Sequence, residues 1–116
     1  MNDARELMDA VQTFLAAWTS GDWLHAEAVL SPAWMERNDE WLQWMEDSFP
    51  LPGSVTVKRV ETPKGLNAAV AADVFVKLHD DKVRRLRFIR ESGPRQVSAD
   101  APWRCNPISA LLEIDE

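Results

Sequence analysis

Apolar residues recur at helical spacing in the first half of the chain. Residues 1–20 contain neither Gly nor Pro, and their apolar positions form a stripe about 120° wide, as expected of a helix that packs against a core. The stripe consists of Leu7, Met8, Val11, Phe14, Leu15 and Trp18. A short second helix is predicted after Asp22, whose side chain can cap it, and a third runs from Ser31-Pro32 to Phe49. Asn38 lies within the apolar arc of this third segment, so it either divides the helix as an internal cap or sits beside a cavity.

The period of the pattern changes to two after Gly53. A first strand is indicated by Val55, Val57 and Val60, and residues 66–78 then alternate strictly, with the even positions apolar. The segment 79–82 predicts a hairpin that returns through residues 83–91. After a second reversal at 92–94, residues 95–98 and 103–105 are predicted to form the last strand. This pattern is typical of a meander of about four antiparallel strands.

Helices followed by a meander predict an α+β fold, in which two or three helices pack on one face of an antiparallel sheet. At 116 residues the chain is expected to form a single domain, residues 1–116. The helical part is residues 1–49, the sheet is residues 54–106, and residues 107–116 form a C-terminal tail.

The composition is that of an ordinary soluble domain, with 46% apolar and 28% charged residues. The single cysteine excludes an internal disulfide framework and suits a reducing compartment. The first residues lack the layout of a signal peptide, and the longest purely apolar run, residues 68–72, is far too short to span a membrane. We therefore expect a cytoplasmic protein with no membrane partner.

Residues 11–34, VQTFLAAWTSGDWLHAEAVLSPAW, resemble the N-terminal helices of the nuclear transport factor 2-like superfamily. In that superfamily a helix ends in a small residue followed by Gly-Asp, and the next helix carries a spaced Ala and Leu before a Pro. The long hairpin and Trp103 are also similar to its sheet, so the resemblance covers residues 4–106. It implies a curved sheet that wraps the helices into a cone with an internal pocket, and it implies a homodimer formed through the sheet. The superfamily includes isomerases, dehydratases, hydrolases and binding proteins, so the fold alone does not select a function.

Asp73 is the carboxylate of greatest interest, because it lies inside a predicted strand. If the hairpin turns on Asp80-Asp81, Asp73 pairs with Phe88 and shares a face with Arg90. Apolar neighbours would raise the pKa of the Asp73 carboxyl and Arg90 would lower it again. Asp73 and Arg90 are therefore the candidate catalytic residues, with Asp73 as general base or substrate anchor. The alternative is that this face looks outward and Asp73 is solvated or paired with an arginine.

The sequence contains few other candidates for catalytic or metal-binding residues. The steroid isomerases of the superfamily use a tyrosine donor, and this chain has no Tyr. His79 either opens the hairpin turn or acts as a base at a pocket rim, and Cys105 is expected to be a packed apolar residue. No spacing of His, Cys or carboxylates matches a metal site, and the glycines are isolated. We expect no metal and no cofactor.

The charge is unevenly distributed along the chain. Residues 1–53 hold ten acids and two bases, whereas residues 82–95 hold six bases and one acid. The whole chain carries −6, and strand alternation divides the arginines between two faces, so no nucleic-acid partner is expected. These arginines are expected to meet the acidic helical half, within the fold or across a dimer.

The leading hypothesis from the sequence is that the protein is a non-catalytic module that binds a small apolar molecule or a protein. The alternative is a small cofactor-independent enzyme, an isomerase, dehydratase or hydrolase, with Asp73 as general base. Aromatic residues of the helical stripes would line the pocket, although core packing explains the same stripes. Trp44, at the margin of a stripe, is expected to be partly exposed. The predicted pocket residues are Trp18, Trp34, Asn38, Trp41, Phe75 and Phe88.

Overall fold

The computed structural model describes residues 3–79, 81–111 and 113–114. Its helices are α1 (Asp3–Ser20), a 3₁₀ helix (Trp23–Val29), α2 (Pro32–Glu36), α3 (Trp41–Ser48) and a second 3₁₀ helix (Pro107–Ala110). Its strands are β1 (Val55–Glu61), β2 (Ala71–Leu78), β3 (Val83–Arg90), β4 (Trp103–Cys105) and β5 (Glu113–Ile114). The predicted α+β class, with N-terminal helices and an antiparallel sheet, is confirmed.

The first helix follows its sequence pattern closely. Its apolar stripe is buried in the core, with Val11 and Phe14 fully covered. The helix ends where Gly21 takes a left-handed backbone conformation, with φ of 79°, and donates its N–H to the carbonyl of Ala17. Glycine adopts this conformation without the steric penalty that a Cβ imposes, which explains why α1 ends at Ser20.

The second helix differs from its prediction in type and in capping. It is a 3₁₀ helix, and the Asp22 side chain makes no capping hydrogen bond. The carboxylate instead lies 2.6 Å from Nδ1 of His25, one turn further along. Trp23 and Ala26 are nevertheless buried, as the apolar pattern indicated.

The third predicted helix is divided in two. Ser31 caps α2 by accepting a hydrogen bond from the Trp34 backbone N–H. Asn38 lies between α2 and α3 and donates its side-chain amide to the Trp34 carbonyl at 2.7 Å. The same carbonyl also accepts the backbone N–H of Arg37, so the Asn38 amide adds a second hydrogen bond to the last turn of α2. The structure therefore shows Asn38 at the break of the predicted helix, as the first alternative stated, and Asn38 also lines a depression beside Trp44, as the second stated.

The strands pair in the order β1-β2-β3-β4, and β5 pairs with the other end of β3. Strand β2 begins at Ala71, so the predicted start at residue 66 is wrong. The Asn67 carbonyl accepts the N–H groups of Val70 and Ala71, and its side-chain oxygen accepts that of Ala69. Such local hydrogen bonds compete with strand pairing and keep residues 66–70 in a turn.

The predicted strand at residues 95–98 is also absent from the described sheet. A tight turn joins the N–H of Gln96 to the carbonyl of Gly93, and Arg95 has a left-handed φ of 65°. Only an isolated bridge, Glu91 to Val97, remains of the predicted pairing. Of the last strand predicted at residues 95–98 and 103–105, only the second part therefore forms, as β4.

The hairpin between β2 and β3 sets the register. The Leu78 N–H donates to the Lys82 carbonyl, and Asp81, with φ of 67°, donates its N–H to the Leu78 carbonyl. The loop is therefore the three residues 79–81, a common hairpin length in which one residue is left-handed. The predicted two-residue turn included Asp80, which lies outside the described residues. A third loop residue moves every pairing by one position, so Asp73 lies opposite Arg87 instead of Phe88.

The sheet has an inner face covered by the helices and an outer face on the other side. The inner face contributes Ala72, Val74, Val76, Leu86 and Phe88 to the core. Phe14 of α1 packs edge-on against Phe88, with ring centroids 6.4 Å apart. The outer face carries Asp73, Phe75, Arg85 and Arg87.

Candidate functional site

Asp73 forms an ion pair on the outer face. Nε of Arg87 lies 2.8 Å from Oδ1 of Asp73, and Nη2 lies 3.1 Å from Oδ2. The Asp73 side chain is 8% exposed and that of Arg87 34%. The hydrogen bond to Asp73 raises the pKa of Arg87, against the lowering effect of burial. Both carboxylate oxygens are thus already engaged, so the structure shows the alternative in which Asp73 faces outward and pairs with an arginine.

Arg90 does not share a face with Asp73, which corrects the predicted placement of the two candidate catalytic residues. It belongs to the inner set of β3, and its side chain is 6% exposed. Its Nε donates to the Ala101 carbonyl at 2.7 Å, and Nη2 donates to the Glu6 carboxylate at 2.9 Å. The guanidinium also stacks over the ring of Trp103, 5.1 Å from its centroid. These contacts join the start of α1 to the β3–β4 connection, which is a structural role.

The six predicted pocket residues do not line one common pocket. Trp18, Trp34 and Phe88 are core residues, each no more than 5% exposed, and Trp41 packs against that core. Phe75 lies on the outer face, with the guanidinium carbon of Arg59 4.1 Å above its ring. Strand alternation places Phe75 and Phe88 on opposite sides of the sheet. As expected, Trp44 is half-buried, and it packs edge-on against Trp34.

A pocket of about 140 Å³ lies at the end of the sheet that carries the β2–β3 hairpin. We call it the Trp18 pocket. Its apolar walls are Trp18 of α1, Phe49 and Leu51 after α3, and Leu78 of β2. Trp18 and Phe49 are almost completely buried, whereas Leu51 is 65% exposed and lies at the mouth. The pocket therefore has a rigid aromatic floor and a rim open to solvent.

The segment that follows α3 builds one wall of this pocket. The indole N–H of Trp18 donates to the Pro50 carbonyl at 3.1 Å, which fixes the segment against α1. The rings of Trp18 and Phe49 meet edge-on at 5.3 Å. Pro50 and Pro52 have fixed φ angles, so this wall loses little conformational entropy when the protein folds.

The polar groups of the Trp18 pocket come from three elements. Ser48 ends α3, His79 opens the hairpin loop, and Arg84 projects from the inner face of β3. Gly53 has a φ of 81°, and a Cβ at this position would lie 3.0 Å from the His79 ring. The close approach of backbone to imidazole thus requires glycine. Nη1 of Arg84 donates to the Ala110 carbonyl at 2.8 Å, so the second 3₁₀ helix helps to hold the guanidinium in place.

The prediction of this site from the sequence was partial. Trp18, one of the six predicted pocket residues, lines this pocket, and a pocket-rim position was one of the two interpretations of His79. Arg84, Leu51 and Ser48 were missed. The signal for Leu51 was available in Pro50-Leu51-Pro52, where an apolar residue sits between two helix breakers directly after an amphipathic helix.

The remaining reactive groups of the described chain do not form a second site. Cys105 is fully buried in the core, as predicted, and burial raises the pKa of its thiol, an effect that a hydrogen bond to Ser109 partly offsets. Among residues 3–79, 81–111 and 113–114, no three His, Cys, Asp or Glu side chains are grouped so as to hold a metal ion. No described helix is both long and apolar enough to cross a membrane.

Comparisons with known proteins do not identify a relative. No family model, no curated protein and no solved structure matches the chain. The function is therefore inferred from the residues themselves and from the geometry of the Trp18 pocket.

Proposed function

We propose that this protein is a small-molecule-binding module and that the Trp18 pocket is its binding site. The observation that carries the proposal is a concave site with an aromatic floor and a few convergent polar groups, which is the usual composition of a ligand pocket. Trp18 and Phe49 are held by the core, so the floor is formed before a ligand arrives. A preformed site avoids the entropic cost of ordering side chains on binding.

The experiment is an NMR titration with two neutral probes, toluene and benzyl alcohol. The indole N–H of Trp18 is the reporter, because its bond to Pro50 places it at the pocket floor. We expect saturable shifts of this signal in the natural protein and their loss in Leu51→Trp, where the larger side chain fills the mouth. Leu24→Trp is the matched control, since Leu24 is exposed to a similar degree, 59%, and does not line the pocket. Unsaturable shifts, or shifts that persist in Leu51→Trp, would refute the proposal.

We further propose that the fold is of the nuclear transport factor 2-like type. The support is the order of elements, with four N-terminal helical segments before an antiparallel meander, together with the resemblance of residues 11–34. The agreement includes the end of α1 at Ser20-Gly21 and the start of α2 after Ser31. An experimental structure that shows a sheet curved around α1 would support this assignment, and a flat sheet would argue against it.

The homodimer that the resemblance implies would use the outer face of the sheet. Phe75 and Arg59 lie there beside the Asp73–Arg87 pair, and aromatic and arginine side chains are enriched at interfaces. Light scattering coupled to size-exclusion chromatography measures the mass directly. A dimer that Phe75→Glu converts to a monomer supports the proposal, and a monomer at all concentrations contradicts it.

The alternative function, an enzyme with Asp73 as general base, remains a prediction with no geometric support. A general base must reach the proton that it removes, and both oxygens of Asp73 are bonded to Arg87. Asp73 is also not among the lining residues of the Trp18 pocket.

A further inference from the structure

Arg85 lies on the outer face of the sheet, where its guanidinium has no hydrogen-bond or ion-pair partner among the described residues. It projects from β3 directly opposite Phe75 of β2. The side chain is half-buried, and its Nε is buried without a hydrogen-bond acceptor. Such a donor costs free energy, and a carboxylate is the acceptor that best matches the guanidinium fork. The outer face therefore presents a site for one further carboxylate.

The two acids of the outer face are already bonded to other arginines. Over their described lengths, strands β1, β2 and β3 contain only two acidic residues, Glu61 and Asp73. Both oxygens of Asp73 are bonded to Arg87, and Oε2 of Glu61 lies 2.5 Å from Nε of Arg59. Arg85 is therefore the charge of this face that no strand acid balances.

Glu61 differs from Asp73 in being open to a second arginine. Its side chain is 51% exposed, against 8% for Asp73. A carboxylate has about four lone-pair sites, so Glu61 can keep its bond to Arg59 and accept another. The outer face thus carries both halves of an ion pair that is not formed within one chain.

Arg85 and Glu61 occupy opposite corners of a rectangle on the outer face. The register forms two neighbouring rows across β1, β2 and β3: Arg59-Phe75-Arg85 and Glu61-Asp73-Arg87. The two corners are separated across the sheet by two strand spacings, about 10 Å. A two-fold axis that lies along the surface and crosses the middle of this diagonal at a right angle exchanges the corners. Each Arg85 then meets Glu61 of the partner subunit, and Phe75 lies close to the axis.

We propose that the outer face binds a second copy of this chain through two reciprocal ion pairs, each between Arg85 of one copy and Glu61 of the partner subunit. Charge complementarity identifies the occupant, because a contact between two identical patches is self-complementary only when the patch carries both charges. Without this pairing the two faces would bring arginines together, and like charges repel across an interface. The inference rests on the proposed homodimer, which it refines by naming the contact that sets its geometry.

The test reverses the charge at each corner and measures the dimer dissociation constant, Kd, by analytical ultracentrifugation. Arg85→Glu and Glu61→Arg each place like charges in both contacts, and each is expected to raise Kd at least about thirtyfold. Mixing the two variants is expected to restore dimerisation. In the mixed dimer one contact keeps its natural charges and the other has both charges reversed.

Arg37→Glu is the matched control. It makes the same change of charge at an exposed position at the end of α2, on the side of the sheet that the helices cover, and is expected to leave Kd unchanged. Thermal unfolding shows that each variant is folded. If Arg85→Glu does not fold, the neutral variants Arg85→Gln and Glu61→Gln replace it, and their effects on Kd are expected to be less than additive in the double variant.

The outcomes separate this inference from the proposed homodimer. A natural protein that stays monomeric at all concentrations overturns both. A dimer that Phe75→Glu dissociates and Arg85→Glu does not overturns only the reciprocal ion pairs. The same holds for a mixture of the two charge-reversed variants that remains monomeric, or for additive losses in the glutamine variants. Dimerisation of the mixture, with each variant monomeric alone, supports the inference.

Discussion

The two faces of the sheet are built from alternate residues of the same strands, yet they have different chemistry. On the inner face of β2 and β3, Val74, Val76, Leu86 and Phe88 are sealed against the helices. On the outer face, Phe75 lies under Arg59, and the Asp73 carboxylate is held by Arg87. Burial alone does not distinguish the two faces, since the Asp73 side chain is only 8% exposed. The inner face is stabilised mainly by packing, and the outer face by pairing charges with each other and with an aromatic ring.

Removing one phenylalanine from each face of the sheet is expected to give the largest difference in stability between the two faces. Phe88→Ala is expected to lower the free energy of unfolding by about 3–5 kcal/mol, because Phe88 is surrounded by core atoms that cannot close the cavity. Phe75→Ala is expected to cost about 1–2 kcal/mol, since the flexible Arg59 side chain can follow the retreating surface. Urea denaturation measures both values. Equal losses would show that the two faces are packed alike.

The Asp73–Arg87 pair gives the next largest effect. Asp73→Asn leaves the Arg87 charge without its carboxylate and is expected to cost about 1–3 kcal/mol at neutral pH. The double variant Asp73→Asn, Arg87→Gln is expected to lose less than the sum of the single variants. Additive losses in this cycle, measured by urea denaturation, would mean that the pair is not coupled.

For the same ion pair, the contribution of Arg87 to the free energy of unfolding is expected to be independent of pH near neutrality. The hydrogen bond to Asp73 raises the folded-state pKa of Arg87 above the ordinary arginine value, so its stabilising contribution is fully present below that ordinary value and is lost only in strong alkali. Between about pH 6 and 10 the cost of Arg87→Gln is therefore expected to stay constant. A cost that changes across this range would contradict the prediction.

Cys105 pairs with Phe88 across the inner face and offers a pH-dependent test of burial there. Its folded-state pKa is raised above the ordinary 9.0. Below 9.0 the thiol is protonated in both states; above it, only the unfolded thiol ionises, so stability falls by up to about 1.4 kcal/mol per pH unit. Cys105→Ala is expected to remove this slope in urea denaturation at alkaline pH. An unchanged slope in the variant would assign the pH dependence to other groups.

The smallest effect is expected from an exposed pair at the hairpin. Lys77 and Asp81 lie 3.1 Å apart with side chains 45% and 83% exposed. Solvent screens such a pair, so Lys77→Ala is expected to change the free energy of unfolding by less than about 0.5 kcal/mol. A loss as large as that of Asp73→Asn would show that exposure does not separate the two ion pairs.

Sequence periodicity correctly predicted which residues of β2 share a face, because side chains alternate along a regular strand whatever the partner strand is. It could not identify the partner of Asp73, which depends on the length of the hairpin loop. With one additional loop residue, Asp73 lies opposite Arg87 instead of Phe88 and no longer shares a face with Arg90. Asp73 therefore forms an ion pair with Arg87 on the outer face instead of a catalytic pair with Arg90.

The helix boundaries and the Trp18 pocket likewise differ in whether local sequence or tertiary contacts determine them. The bounds of α1, the cap at Ser31 and the break at Asn38 followed from local chemistry, since the groups involved lie within a few residues of each other. The Trp18 pocket joins residues 18, 49 and 84, which meet only when α1 and the sheet pack together. The sequence by itself therefore determined the class of fold and the two faces of each strand, because these depend on backbone periodicity. The tertiary structure alone decided the register and the binding site, because both depend on contacts between residues far apart in the chain.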